Sequence, residues 1–183
     1  MDTLRLFVAL DCQAKLKQLI KRDFLALGLN PANLNVPAVD NLHLTLKFWS
    51  HFPLTKMQAL LEVLDGTVSQ WPAVSLDFKQ AGSFGGLRVK ALVLEPADGS
   101  PLIELFQSLE EALWQAGLAA QEVKGFRPHL TLARVKQPLS ETELAIYSNW
   151  RPSYQAIFDR LVLFESRLTP QGSEYLALKT YQL

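Results

Sequence analysis

Two copies of one tetrapeptide, His43-Leu44-Thr45-Leu46 and His129-Leu130-Thr131-Leu132, constrain this chain more than anything else in it. The sequence holds three histidines, and two of them open identical units inside runs that read as β-strands. Side chains alternate between the faces of a strand, so His43 and Thr45 share one face about 6.6 Å apart along the chain. Leu44, Leu46 and Phe48 then share the other face and go to the core. The fold must present the same histidine and threonine pair twice.

Composition narrows the rest. The chain has 183 residues, of which 49% are hydrophobic, enough to bury a substantial core in one domain spanning residues 1–183. Eighteen basic residues balance eighteen acidic ones. Tight nonspecific attachment to a polyanion is therefore not expected, although a local pocket can still read the end of a nucleic acid. The lone Cys12 excludes an intramolecular disulfide framework, and a reducing cytoplasm fits. The Met1–Arg5 start runs directly into Leu6–Leu10, too short for a signal-peptide core, and no apolar run approaches a membrane span.

Leu4–Leu10 reads as a strand and Ala14–Leu27 as a helix stopped by Gly28. The first motif strand covers about 42–49. Thr55 opens a capping box before the apolar stripe of Met57, Leu60, Leu61 and Leu64. Val74–Phe78 and Leu87–Glu95 form a hairpin around Gly82, Gly85 and Gly86. Ser100 caps a helix with Pro101 at its first position, its apolar face running from Leu102 to Leu113 until Gly117. After the second motif strand, about 129–135, Ser140–Glu143 is another capping box. Ile157–Phe164 and Glu174–Tyr181 read as strands. The order of elements suggests a duplication. The expectation is an α+β fold of two pseudo-symmetric lobes, antiparallel sheets facing a central cleft and helices outside, with one histidine from each lobe across the cleft.

An imidazole near its ordinary pKa of about 6.5 can take or give a proton at neutral pH, so two make an acid/base pair. Threonine hydroxyls on the same face can hold the oxygens of a small anion between them. That arrangement suits phosphate chemistry with one group activating a nucleophile and the other protonating a leaving oxygen. A metal site would want more ligands than either motif supplies, and the nucleophile elbow of a serine triad is absent. Gly82–Gly86 lacks the ending of a phosphate loop and reads as a turn. A single strand histidine is ordinarily structural; repetition of the whole unit reverses that reading. His51, outside both motifs, is structural or superficial. Phe7, Phe48, Trp49 and Phe126 are core aromatics by default, although one beside the cleft could stack on a nucleobase.

With their flanks, these residues resemble the two-histidine (2H) phosphoesterases, and among them the RNA 2′,3′-cyclic phosphodiesterases, historically called 2′-5′ RNA ligases. Leu4–Asp11 is similar to the N-terminal strand of that family, Asp40–Phe48 to its first motif, Phe126–Arg134 to its second, and Leu163–Leu168 with Gly172–Tyr175 to its C-terminal hairpin. The resemblance implies a bilobal fold and hydrolysis of a ribose 2′,3′-cyclic phosphate to a 2′-phosphomonoester, with no metal and no cofactor. It extends to reversible 2′-5′ ligation. It makes His43 the proton donor to the departing 3′ oxygen and His129 the base that activates water. Thr45 and Thr131 would hold the phosphoryl oxygens, and Arg134 matches an arginine near the substrate, although strand parity puts it opposite His129 unless the strand bends. The partners implied are RNA ends or nucleotides bearing a cyclic phosphate, met by a monomer with no membrane attachment. The chain departs from the family's pattern at Val8 and at Trp49-Ser50-His51. Alternatives are sister activities on 2′-5′ oligonucleotides or ADP-ribose cyclic phosphate, and an RNA-end-binding module without turnover.

Overall fold

The computed structural model describes residues 2–86, 88–122, 125–170 and 172–183. In chain order the elements are β1 (Thr3–Cys12), α1 (Ala14–Leu25), β2 (Leu34–Asn35), β3 (Leu44–Pro53), α2 (Met57–Val68), β4 (Val74–Phe84), β5 (Ala91–Pro96), α3 (Ser100–Gln115), β6 (Leu130–Val135), α4 (Glu141–Asn149), β7 (Tyr154–Thr169) and β8 (Gly172–Gln182). The strand expected from Leu87 begins at Ala91, and Leu87 itself lies outside the described residues. Short 3₁₀ turns precede β2, β3 and α2. Among the described residues no helix is long and apolar enough to cross a membrane.

The eight strands are mutually antiparallel and run β2-β6-β5-β4-β7-β1-β3, with β8 added beside β7. β7 is the element that joins the two halves. Tyr154–Phe158 pair with β4, Phe158–Glu165 with β1, and Arg160–Thr169 with β8. The lobes are therefore interleaved rather than sequential: the β4–β5 hairpin completes the ladder of the second motif strand, and the C-terminal β7–β8 pair completes that of the first. Although β3 and β6 lie near opposite ends of the strand path, they come into contact, so the curved sheet brings the motif strands together.

Apolar residues fill one side of the sheet. Leu6, Val8 and Leu10 of β1 are fully buried, as are Ile20 of α1, Leu60 and Leu64 of α2, and Leu102, Leu105, Leu109 and Leu113 of α3. This is the helical spacing expected for those segments. Val8 thus belongs to the core and does not reach the cleft. Helix entries differ from expectation in two places. The Thr55 capping box is absent: a 3₁₀ turn over Leu54–Lys56 leads into α2, whose Lys56 N-cap makes no side-chain bond. At α3 the N-cap is Gly99, and the Asp98 carboxylate, a residue earlier still, accepts bonds from the Ser100 backbone and hydroxyl. The capping box at α4 is present, Ser140 and Glu143 each accepting the other's backbone N–H. Cys12 is buried, and burial pushes its thiol up to about 11, which keeps it protonated and unreactive at neutral pH.

Each motif strand carries a bulge immediately after its threonine. Thr45 lies opposite Ala9 and Lys47 opposite Val8, leaving Leu46 as an extra residue. Likewise Thr131 lies opposite Val93 and Ala133 opposite Leu92, leaving Leu132 extra. An extra residue shifts every later side chain to the other face of its strand. Lys47 consequently turns away from the cleft and pairs with Glu110 of α3 at 2.7 Å. Phe48, expected in the core, emerges into the cleft with 43% of its surface exposed. The same device delivers Arg134 to the face of His129 and Thr131.

Phe158 sits where the halves join: completely buried, it pairs with Cys12 on one edge and Val74 on the other. Truncation to alanine should lower stability by roughly 3–5 kcal/mol through lost packing and a cavity. Urea denaturation should show a reduced midpoint with an unchanged slope, meaning that both halves still unfold together. A second transition would mean that the halves unfold independently once Phe158 is lost.

Candidate active site

His43 and His129 each sit one residue before a strand, at the point where an irregular segment enters it. This location fixes their rings. His43 Nδ1–H donates to the Asn41 carbonyl at 2.7 Å, and His129 Nδ1–H donates to the Arg127 carbonyl at 2.8 Å. The acceptor is in both cases the backbone two residues upstream, so the neutral tautomer leaves Nε2 unprotonated in each ring. At His43 that nitrogen receives the Thr45 hydroxyl at 3.0 Å. At His129 it has no hydrogen-bond partner among the described residues.

The irregular segment before His43 is held by two lysines of α1. Lys17 donates to the Asp40 carbonyl at 3.0 Å and pairs with Asp11, while Lys21 donates to the Pro37 carbonyl at 2.9 Å. Lys17 is buried, and Arg160 joins the same network through Asp11 at 3.2 Å. The loop that carries the Asn41 carbonyl is thereby tied to helix and sheet.

The two rings have different surroundings. His43 lies in an aromatic box: Phe7 stacks on it at 4.8 Å, Tyr175 meets it edge-on at 5.4 Å, and Phe164 lies at 6.3 Å. Burial pushes its pKa down to about 4, despite the opposing bond to Asn41. His129 has one aromatic neighbour, Phe84, at 4.6 Å, itself covered by the Arg127 guanidinium. Burial also lowers its pKa, with Glu95 pulling the other way. The Glu95 carboxylate pairs with Arg127. A Cβ at Gly82 would lie 2.7 Å from that carboxylate, so a larger residue there would push the Glu95 side chain aside. In the free protein both histidines are therefore neutral at neutral pH.

His43, Thr45, His129, Thr131 and Arg134 all line one cavity of about 850 Å³. Arg134 is exposed there and makes no ion pair among the described residues. His51 is outside it, exposed and bonded to Ser50. Trp49 and Phe126 are also outside, the indole donating to the Leu118 carbonyl and Phe126 stacking on Phe106 at 4.2 Å. Sequence reasoning missed Arg5, Ser166 and Tyr175, which line the cavity from β1, β7 and β8. Alternation from Phe7 would have flagged Arg5, and the likeness of Gly172–Tyr175 to a hairpin gave the tyrosine without its contact to His43. Among the described residues no group of three or more His, Cys, Asp and Glu side chains gathers as a metal site would require.

Known proteins resemble this chain in sequence and in fold. The sequence profile of the 2′-5′ RNA ligase superfamily matches residues 30–169. The RNA 2′,3′-cyclic phosphodiesterase of Thermotoga maritima is 30% identical, with 96% of this chain and 93% of the relative aligned. The protein of the same name from Escherichia coli is 34% identical over 71% of each chain. The crystal structure of E. coli LigT complexed with 3′-AMP superposes with a TM-score of 0.75 at 26% identity, covering 100% of this chain and 99% of the other.

The lowered pKa of His43 has a thermodynamic counterpart. A histidine with a pKa of about 4 in the fold and 6.5 when unfolded favours the native state fully above pH 6.5, and loses that contribution as pH falls toward 4. The separation corresponds to about 3 kcal/mol. Denaturant titrations at pH 7 and pH 4 should show that His43→Asn loses about that much less stability on acidification than the parent. Equal losses in both proteins would mean that the imidazole is not desolvated.

Proposed function

The chain belongs to the 2′-5′ RNA ligase superfamily, and from that premise we propose that it hydrolyses the ribose 2′,3′-cyclic phosphate at RNA ends to a 2′-phosphomonoester. The observation that carries the proposal is the convergence of His43, Thr45, His129 and Thr131 on a single cavity. In this reading His129 Nε2, neutral and without a partner among the described residues, takes a proton from a water as its oxygen attacks phosphorus. The bond from phosphorus to the ribose 3′ oxygen breaks, and His43 Nε2–H gives that oxygen its proton. Thr45, Thr131 and Arg134 hold the nonbridging oxygens, where the negative charge resides.

His43 must then be loaded by its substrate. Burial keeps the free imidazole neutral, and a phosphodiester anion placed against Nε2 supplies the opposite charge that makes the imidazolium favourable. Binding and protonation at His43 are thus coupled. The reading takes residues 1–183 as one domain, a monomer acting in the cytoplasm with neither cofactor nor metal ion.

Incubation of a 2′,3′-cyclic mononucleotide and of a cyclic-phosphate-ended RNA, with excess chelator, should give 2′-phosphates alone, identified chromatographically. Activity that disappears on chelation and returns with a divalent ion would refute metal independence. The rate should depend on pH as a bell, since one imidazole must be neutral and the other charged.

The residue roles predict an order of effects. His43→Ala and His129→Ala should each cost roughly 10²–10⁴ in turnover. Thr45→Ala and Thr131→Ala remove one hydrogen bond to a charged oxygen, worth roughly 1.5–3 kcal/mol, and should cost roughly ten- to a hundredfold. A substrate whose leaving group needs no protonation should restore the His43 variant and not the His129 variant; the opposite rescue would reverse the two roles.

A further inference from the structure

The cavity also holds a group that the hydrolysis just described does not use. Arg5 of β1 projects into the cavity with its guanidinium carbon 4.6 Å above the ring of Phe48. Its Nε donates to the hydroxyl of Ser166 at 3.3 Å. That bond, with the aromatic ring beneath, fixes the plane of the guanidinium and leaves the outer pair of nitrogens for a ligand. No carboxylate pairs with Arg5 among the described residues. Glu174 lines the same cavity, and no ion pair joins it to Arg5 among the described residues.

The bulges place this group in relation to the reacting centre. Phe48 stands five residues after His43, and Arg134 stands five after His129. Both reach the cleft because one extra leucine follows each threonine. The duplicated strand ends thus differ in function: one presents a cation directly, and the other presents an aromatic ring on which a cation from β1 is seated. Along β1, Phe7 stacks on His43 and Arg5 lies two residues further on the same face, a step of about 6.8 Å. The cavity volume of about 850 Å³ is near the upper end of the range for small-molecule sites, roughly 300–1,000 Å³, and exceeds what one cyclic phosphate requires.

We propose that Arg5, held by Phe48 and Ser166, binds the phosphodiester that joins the terminal nucleotide to its 5′ neighbour, so that the cleft reads two successive phosphates. The inference rests on the cyclic-phosphate reading of the same site and adds its second subsite. Planar, forked recognition of a phosphate is what a guanidinium fixed at Nε offers and a lysine would not. In a chain with no net charge, this places the attraction for a polyanion inside the cleft rather than over the surface.

The test compares three cyclic-phosphate substrates: a mononucleotide, a dinucleotide, and the same dinucleotide with an uncharged methylphosphonate linkage. The parent protein should prefer the charged dinucleotide to the uncharged one by roughly tenfold or more in kcat/KM. Arg5→Gln should abolish that preference, Arg5→Lys should retain only part of it, and Phe48→Leu should weaken it. The salt dependence of dinucleotide binding should fall by about 0.7 in logarithmic slope in Arg5→Gln, the value for one phosphate contact on a single strand. Calorimetry with the 2′-phosphorylated dinucleotide and its methylphosphonate counterpart measures the same discrimination without turnover. If no cyclic phosphate is opened but the binding preference is present and depends on Arg5, the reaction assigned above fails and the subsite stands. Equal use and equal binding of charged and uncharged dinucleotides by the parent, or an unchanged preference in Arg5→Gln, would overturn the subsite.

Discussion

The hydrogen-bond ladder of β7 is the constraint on which everything else rests. A strand of sixteen residues cannot leave its backbone groups unpaired in a protein interior, and β7 meets that requirement with three partners. β4 and β8 lie end to end along one edge, and β1 runs along the other. This arrangement makes one continuous sheet from segments widely separated in sequence. It also curves the sheet until β3 and β6, distant in strand order, approach one another. The cleft is therefore a property of the ladder and its twist rather than of a hinge between independent bodies.

Within that sheet, the geometry of the cleft depends on two inserted leucines. Leu46 and Leu132 are each 4% exposed, so both remain core residues while shifting the register of the residues after them. The shift turns Lys47 toward α3 and brings Phe48 and Arg134 to the cleft. A strand without a bulge would present His, Thr and then a lysine on one side, and a cleft containing Lys47 would have a different charge. The contrast between the rings has the same local origin. Three aromatic neighbours withdraw water from His43, whereas His129 has one and faces a carboxylate as well.

Much of this was legible in the sequence because periodicity and repetition are local signals. The amphipathic helices, the capping box at Ser140, the hairpin around Gly85 and the two motif strands could all be read from spacing. The meeting of both motifs in one cavity followed from their identity. What could not be read was set by pairing between distant segments. Leu46 and Leu132 look like ordinary alternating strand residues, and only their partners on β1 and β5 show that each is supernumerary. Parity carried through those positions therefore sends Phe48 to the core and places Arg134 on the wrong face. Thr55 has the composition of a cap, but tertiary packing draws that segment into a 3₁₀ turn. The interleaving of the lobes is invisible for a related reason: it depends on the full length of β7, which extends beyond the Ile157–Phe164 run at both ends.

The main chain's hold on both imidazoles has a bearing on how such a site endures. Asn41 and Arg127 differ in every side-chain property, yet each contributes the same carbonyl to the same nitrogen. A ring oriented by a backbone oxygen cannot lose its anchor to a point substitution at the anchoring residue, provided that the backbone path persists. The tautomer is inherited with the fold, not with a particular amino acid. Sequence around the histidines is thereby released to vary, and relatives that share only a quarter to a third of their residues with this chain could keep the imidazoles aligned while changing what surrounds them.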